Sequence, residues 1–406
     1  MFEILKAADI RRILALALLI RLLIMPFYFH PDIKTFNFQA SFLKKGVFNI
    51  YDYLSSHKAD LPLKDEFVYF PLTYYFLGTY QLVASPFLGP GFEKWLLNAG
   101  TNSSLDIGVF RYLFILKLPY LILDILIGIF LTKLFSDLQT KKRILTLWLL
   151  NPFSIVLIYI YSNVDIFPVF LIVMSLYFAA KNNFLVSSLM LGLGAGFKAF
   201  PLLLIPFLLL KASTIKDKLV SSIIPTFVFL LTILPFIKSA SFKESALASG
   251  LTTRIISSGL SLGFGEILMP AIILLSVLFF WGLTQTRVEL WRFYLVAFIF
   301  ILISIHFHLQ WFLWLLPLLA ISYAIDSNQE KKLMMAFILT AFAIPLLYTD
   351  KFMTVGLLKG ISPLYELMLT PSDILSKVYK VETIQGVLHS ALFGLGLLLG
   401  LKVIKR

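Results

Sequence analysis

Apolar runs long enough to cross a bilayer recur along this chain from Arg11 to Leu401. A hydrocarbon core of roughly 30 Å takes about 20 residues of helix and tolerates no unpaired backbone, so runs of this kind restrict the fold to a helical bundle. Composition agrees: 59% of the 406 residues are hydrophobic, only 14% are charged, and the mean hydropathy is +0.90. A large water-soluble domain is excluded. The chain has no cysteine, which also excludes disulfides and thiolate metal sites. A net charge of +13 reads as cytoplasmic loop anchors rather than a nucleic-acid surface, so no nucleic acid is expected as a partner.

The first run, Arg11 to Phe29, follows Lys6, Arg11 and Arg12 and reads as a retained signal anchor, since it lacks a small-residue cleavage site and carries Arg21. Later runs are Phe110 to Phe135, Ile144 to Tyr161, Ile166 to Ala180, Phe184 to Phe197, Phe200 to Leu210, Leu219 to Ile237, Leu262 to Leu283, Trp291 to Ile305, Leu309 to Ile325, Leu333 to Tyr348 and Gly386 to Leu401. The expectation is an all-α polytopic bundle of about twelve transmembrane helices, forming one domain over residues 1–406. Phe67 to Leu88 is long enough to span, but it is interrupted by Pro71 and rich in tyrosine. If it lies along the outer surface, the connections with Lys141-Lys142-Arg143, Lys211 to Lys218, Arg287 to Arg292, Lys331-Lys332 and Lys402 to Arg406 all fall on the side of the basic N-terminus, as the positive-inside rule requires. Residues 31–108 then form one long outer loop, and both termini are cytoplasmic. The Asn102-Ser103-Ser104 sequon in that loop reads as chance.

Ionisable groups in or beside the hydrocarbon are costly, which makes their positions informative. This topology gathers Asp32, Asn163, Asp165, Lys198, Arg254, His306 and His308 at the outer ends of the bundle, a constellation suited to chemistry on an anionic substrate. Each residue taken singly has a structural explanation: a helix cap for Asp32, snorkelling for Lys198, an interfacial histidine for His306. Lys117 and Asp124 share a face seven residues apart; Asp124 is expected to pair with Arg21 at matched depth, while Lys117 could face the same cavity as Lys198.

Short segments in matching order resemble the polytopic glycosyltransferases of the GT-C fold. The likeness is greatest to the mannosyltransferases of glycolipid anchors, their prokaryotic relatives and the glucosyltransferases of lipid-linked oligosaccharides. The segments are Asp32 after the first helix, "GVFNIYDY" at Gly46 to Tyr53, "YFPLTYY" at Tyr69 to Tyr75, "KLPYLILD" at Lys117 to Asp124, "NPFSIVLIYIYSNVD" at Asn151 to Asp165, "GFKAFPLLLIPFLLL" at Gly196 to Leu210 and "HFHLQWFLWLLPLL" at His306 to Leu319.

The resemblance implies a membrane enzyme that moves a hexose, mannose first, from a polyprenyl-phosphate sugar to an acceptor hydroxyl with inversion. Its acceptor is lipid- or glycan-linked and its site lies on the outer or lumenal face. Asp32 takes the place of the catalytic base. Lys198, Arg254, His306, His308 and Lys117 are the candidates for the donor phosphate, and His30, Lys34, Tyr69, Asn163 and Asp165 for the remaining substrate contacts. Some relatives carry an Asp-x-Asp pair after the first helix; here Ile33 and Lys34 follow Asp32, so a bound divalent cation is doubtful and no other cofactor is implied. The competing reading is a secondary transporter or lipid flippase, which usually shows related halves and a midplane site; the sequence has neither. A non-catalytic scaffold leaves the outer polar cluster unexplained.

Overall fold

The structure, a computed structural model, describes residues 8–98, 107–250, 252–253, 258–263, 265–285 and 289–405. Within them the chain is mainly helical, with a two-stranded antiparallel hairpin of Leu260–Gly263 and Glu266–Leu268. The hairpin corrects one expectation. The run expected to begin at Leu262 becomes helical only at Pro270, whose fixed φ opens the helix Pro270–Leu283. Arg254 and Asn102-Ser103-Ser104 lie outside the described residues.

Among the described residues three helices are by themselves long and apolar enough to cross a membrane: Gly108–Thr132, Ile215–Phe236 and Val381–Ile404. A fourth results if Leu138–Leu149 and Pro152–Ile160 are one span bent by 42°. The other apolar helices, Ile166–Ala180, Phe184–Phe197, Phe200–Lys211, Pro270–Leu283, Leu290–Ser304 and Leu316–Ile325, have 10–17 residues each. Helix length alone therefore does not reach the expected count. The shortening has a local cause: proline lacks the N–H that an α-ladder needs, and regular helix gives way to 3₁₀ turns at Leu309–Trp314 ahead of Pro317 and at Ile344–Leu347, which contains Pro345.

Leu290–Ser304 is the most enclosed helix, with every side chain from Leu290 to Leu302 buried. Pro270–Leu283 and Val381–Ile404 pack against it. Phe184–Phe197 packs on both Ile166–Ala180 and Ile215–Ile233, and two glycines allow that approach. A Cβ at Gly192 would meet the Pro225 carbonyl at 2.7 Å, and one at Gly196 would meet Thr232 at 3.0 Å as well as Leu72 at 2.6 Å. Ile215–Ile233 leaves Leu219, Ile223, Phe227 and Leu231 at least half exposed, a four-residue repeat of large apolar groups that suits lipid contact.

The expected ion pair is present. Arg21 Nε donates to Asp124 Oδ2 at 2.6 Å with both side chains fully buried, and Tyr159 Oη donates to the same oxygen at 2.7 Å. Arg21 Nη1 also donates to the carbonyls of Leu149 and Ala17. Lys117 corrects its expectation. Fully buried, its ammonium donates to the carbonyls of Met25, Tyr28 and Tyr159 at 2.9, 2.7 and 2.8 Å, which uses all three N–H bonds and leaves none for a donor phosphate.

Residues 31–98 form the helices Pro31–Ala40, Ile50–Ser56, Pro71–Leu88 and Gly91–Leu97 with connecting turns. Pro71–Leu88, from the ambiguous stretch, packs on Pro31–Ala40 and Phe184–Phe197. Phe70 N–H and Thr73 Oγ1 both donate to the Phe197 carbonyl, satisfying an end that Phe184–Phe197 cannot satisfy internally. A second irregular segment, residues 349–380, carries the 3₁₀ turns Lys351–Met353, Val355–Leu358 and Pro363–Leu367. It returns to the exit of the first helix: Phe29 N–H donates to the Leu357 carbonyl and Tyr161 Oη to that of Met353.

Candidate active site

Asp32 is the second residue of the helix Pro31–Ala40. Pro31 at the first helical position costs no hydrogen bond, and the carboxylate sits where the helix dipole favours negative charge. His30 is the cap: its Nδ1 accepts the Asp32 N–H at 3.2 Å and lies 3.5 Å from Asp32 Oδ1. About a third of the Asp32 side chain remains exposed, whereas His30 is buried beside the rings of Tyr161 and Phe352.

A hydrogen-bonded chain leads from Asp32 to the expected lysine. Gln310 Nε2 donates to Asp32 Oδ2 at 3.0 Å, and the Gln310 carbonyl accepts from Asn163 Nδ2 at 2.7 Å. Asn163 Oδ1 accepts the Asp165 N–H at 3.0 Å. The fully buried Asp165 carboxylate takes both oxygens to Lys198 Nζ at 2.9 Å and also accepts from Trp314 Nε1 at 2.7 Å. Each link is local chemistry. The Asn151-Pro152 break, the π-turn Val156–Ile160 and a left-handed Ser162 at φ 54° swing Asn163 and Asp165 inward. Lys198 ends Phe184–Phe197 in an extended conformation, and the 3₁₀ turn Leu309–Trp314 presents Gln310 and Trp314 together.

Lys198 is enclosed by aromatic faces, with the ring centroids of Tyr69, Trp311 and Trp314 at 5.2, 5.7 and 5.6 Å from Nζ. Phe200 stacks on Trp314 at 3.8 Å. Burial, then the nearby Asp165 and Asp32 carboxylates, push the Tyr69 phenol well above its usual range, so it stays protonated as a donor. From Lys198 an apolar cavity of about 210 Å³ runs between Phe70, Leu203, Thr252 and Ile305.

The structure thus brings Asp32, His30, Asn163, Asp165, Lys198 and Tyr69 together. Lys34 turns elsewhere: its Nζ donates to the Asn98 carbonyl at 2.5 Å and lies 5.5 Å from the Trp95 ring centroid. His308 packs on Trp311 at the edge of the group, and His306 is exposed. Gln310, the central link, is absent from the sequence expectations because they follow charges and, with Asn163, a polar turn, whereas Gln310 is a lone amide inside the apolar "HFHLQWFLWLLPLL". Trp314 is missing from them for the same reason. Among the described residues no three His, Asp or Glu side chains converge.

Fold and site together define a helical membrane protein in which an acid, an acid–lysine pair and an apolar cavity meet. Part of the chain is similar to GPI mannosyltransferase 1 of Candida albicans, at 30% identity over 112 residues, 26% of this chain and 28% of that protein. It is also similar to GPI mannosyltransferase 1 of Kluyveromyces lactis, at 34% identity over 90 residues, 21% of this chain and 22% of that protein. The matches span about a quarter of each relative's length and support the likeness to glycolipid-anchor mannosyltransferases at family level. No family profile and no solved structure matches the chain.

Proposed function

We propose that this chain is an integral-membrane glycosyltransferase that moves a hexose, mannose first, from a polyprenyl-phosphate sugar to an acceptor hydroxyl with inversion. The observation that carries the reading is the Asp32–Gln310–Asn163–Asp165–Lys198 chain, which ends at an apolar cavity. An apolar wall beside a fixed cation suits a lipid phosphate, and a part-exposed carboxylate is accessible to an acceptor. In this reading about twelve helical segments serve as spans, residues 31–108 and the site lie on the extracytoplasmic side, and the basic loops are cytoplasmic.

Asp32 takes the proton of the acceptor hydroxyl as that oxygen bonds to the anomeric carbon. The bond from that carbon to the phosphate oxygen breaks on the opposite face, and its electron pair stays on the phosphate. The products are the inverted glycoside, a polyprenyl phosphate and a protonated Asp32 that returns its proton to water. Two N–H bonds of Lys198 are held by Asp165, and the third is left for the phosphate as its charge grows. Gln310 fixes the Asp32 oxygen that does not face His30.

The test is purified protein incubated with a lipid-linked acceptor fraction and either polyprenyl-phosphate mannose or polyprenyl-phosphate glucose, with release of polyprenyl phosphate followed. Release from the mannose donor that disappears in Asp32→Asn is the expected result. No release from either donor by folded protein removes the transferase reading.

A further inference from the structure

The irregular segment 349–380 shows an apolar surface that no other part of the chain covers. Leu364, Leu367, Leu369, Ile374, Val378 and Tyr379 are each more than half exposed. The acids of the same stretch are engaged instead: Glu366 pairs with Lys359 at 2.5 Å, and Asp373 accepts the Thr370 N–H at 2.8 Å as part of the cap of Pro371–Leu375. Lys377 and Lys380, on either side of Val378 and Tyr379, are exposed. A surface of this composition is costly in water and marks a contact with something apolar.

The depth of the segment says what that something is. Gln385 Nε2, in the second turn of Val381–Ile404, donates to the Leu347 carbonyl at 2.8 Å, so the chain leaves the preceding helix and enters the next at one level. With 24 residues Val381–Ile404 is about 36 Å long, slightly more than a hydrocarbon core of roughly 30 Å. As a span it sets Val381 at the edge of the hydrocarbon, and Val378 cannot be more than about 11 Å away. The exposed surface is thus continuous with the lipid-facing side of that helix, where Val387 and Leu401 are at least half exposed. Apolar groups with a tyrosine and lysines among them suit the headgroup–acyl boundary, where their polar ends reach the phosphates.

The other half of the segment reaches the candidate site. The Phe352 ring stands 6.5 Å from that of His30, and the Leu357 and Met353 carbonyls accept from Phe29 N–H and Tyr161 Oη at 2.9 and 2.6 Å. We propose that residues 361–379 lie in the headgroup–acyl boundary of the bilayer as an interfacial anchor, and that this anchor braces the exit of the first helix, on which His30 and Asp32 stand. The proposal rests on Val381–Ile404 being a span and not on sugar transfer.

The chain has no cysteine, so Leu367→Cys, Val378→Cys and, as a control in an exposed charged turn, Asp60→Cys can each carry one polarity-sensitive fluorophore. Labelled full-length protein is reconstituted in phosphatidylcholine vesicles, with and without phosphatidylcholine that bears a nitroxide near the top of its acyl chain. The probes at Leu367 and Val378 should emit to the blue of the probe at Asp60 and be quenched several-fold more strongly. Emission like that at Asp60 with no quenching places the surface in water. Blue emission that the nitroxide leaves untouched means that a second copy or another protein covers it, and either result overturns the proposal. The bracing is read in the same vesicles from backbone amide exchange at Phe29, which Leu367→Asp combined with Val378→Asp should speed roughly tenfold. A melting temperature in detergent equal to the parent's shows that this variant is folded, and the fluorophore readings do not depend on it. Exchange at Phe29 unmoved in the folded variant overturns the bracing. Quenching at Leu367 and Val378 in a protein that transfers no sugar would refute the transferase reading and leave the anchor standing.

Discussion

At the scale of single residues, function concentrates in side chains whose contacts fix their geometry. In the proposed reaction Asp32→Asn keeps shape but removes the proton acceptor, so turnover should fall by roughly 10² to 10⁴ with donor binding retained, measured as kcat against KM. Gln310 separates positioning from charge. Gln310→Leu removes the amide that orients Asp32 and should lower kcat roughly tenfold with little change in KM, whereas Gln310→Glu sets a second carboxylate against the first and should cost more. Equal effects of the two variants would reduce Gln310 to a packing residue. Ionisable site residues are legible in a sequence because membranes make each of them expensive. Gln310 carries no charge and lies 278 positions from Asp32, so no pattern along the chain joins it to its partner.

At the scale of elements, boundaries are readable where local chemistry marks them. Ile166–Ala180 and Phe184–Phe197 match the sequence expectation because Lys181-Asn182-Asn183 forms a polar turn, with Asn182 left-handed and Asn183 capping the next helix. Residues 349–380 have no apolar period, and their carbonyls are held by distant donors, Phe29 N–H and Tyr161 Oη, so the sequence gives no sign of their position. The Leu260–Leu268 hairpin is apolar enough to resemble the start of a span, and only Pro270 separates the two. Gly196 sits where its helix meets Leu72 and Thr232; Gly196→Leu should cost about 1–3 kcal/mol by overpacking, read as a lower melting temperature in detergent. Ser162 is buried, left-handed, and its hydroxyl has no partner among the described residues. Ser162→Gly should stabilise the protein by up to about 1 kcal/mol, while Ser162→Val should destabilise it and displace Asp165; the opposite order would show that the turn is not strained.

At the scale of the whole molecule, Arg21 and Asp124 form a buried pair whose separate loss strands a charge. Each single change, Arg21→Met or Asp124→Asn, should cost about 3–5 kcal/mol, and the double change should recover part of it; additive losses in the cycle would show no coupling. The proposed orientation is checked in this cysteine-free chain by single cysteines at Ser56 and Gln139. An impermeant reagent on intact cells should label the first and not the second.

The contacts of Lys117 also bear on the order in which the protein is made. Every partner of Lys117 and Arg21, from Ala17 through Leu149 to Tyr159, is encoded in the first 159 residues, so this knot can close while the ribosome is still working on the rest. Asp32 waits for Gln310, and Asp165 for Lys198 and Trp314. A nascent chain thus acquires its frame early and the Asp32–Lys198 hydrogen-bonded chain late, and an insertion intermediate holding the first three hydrophobic segments would be assembled yet lack the proposed site.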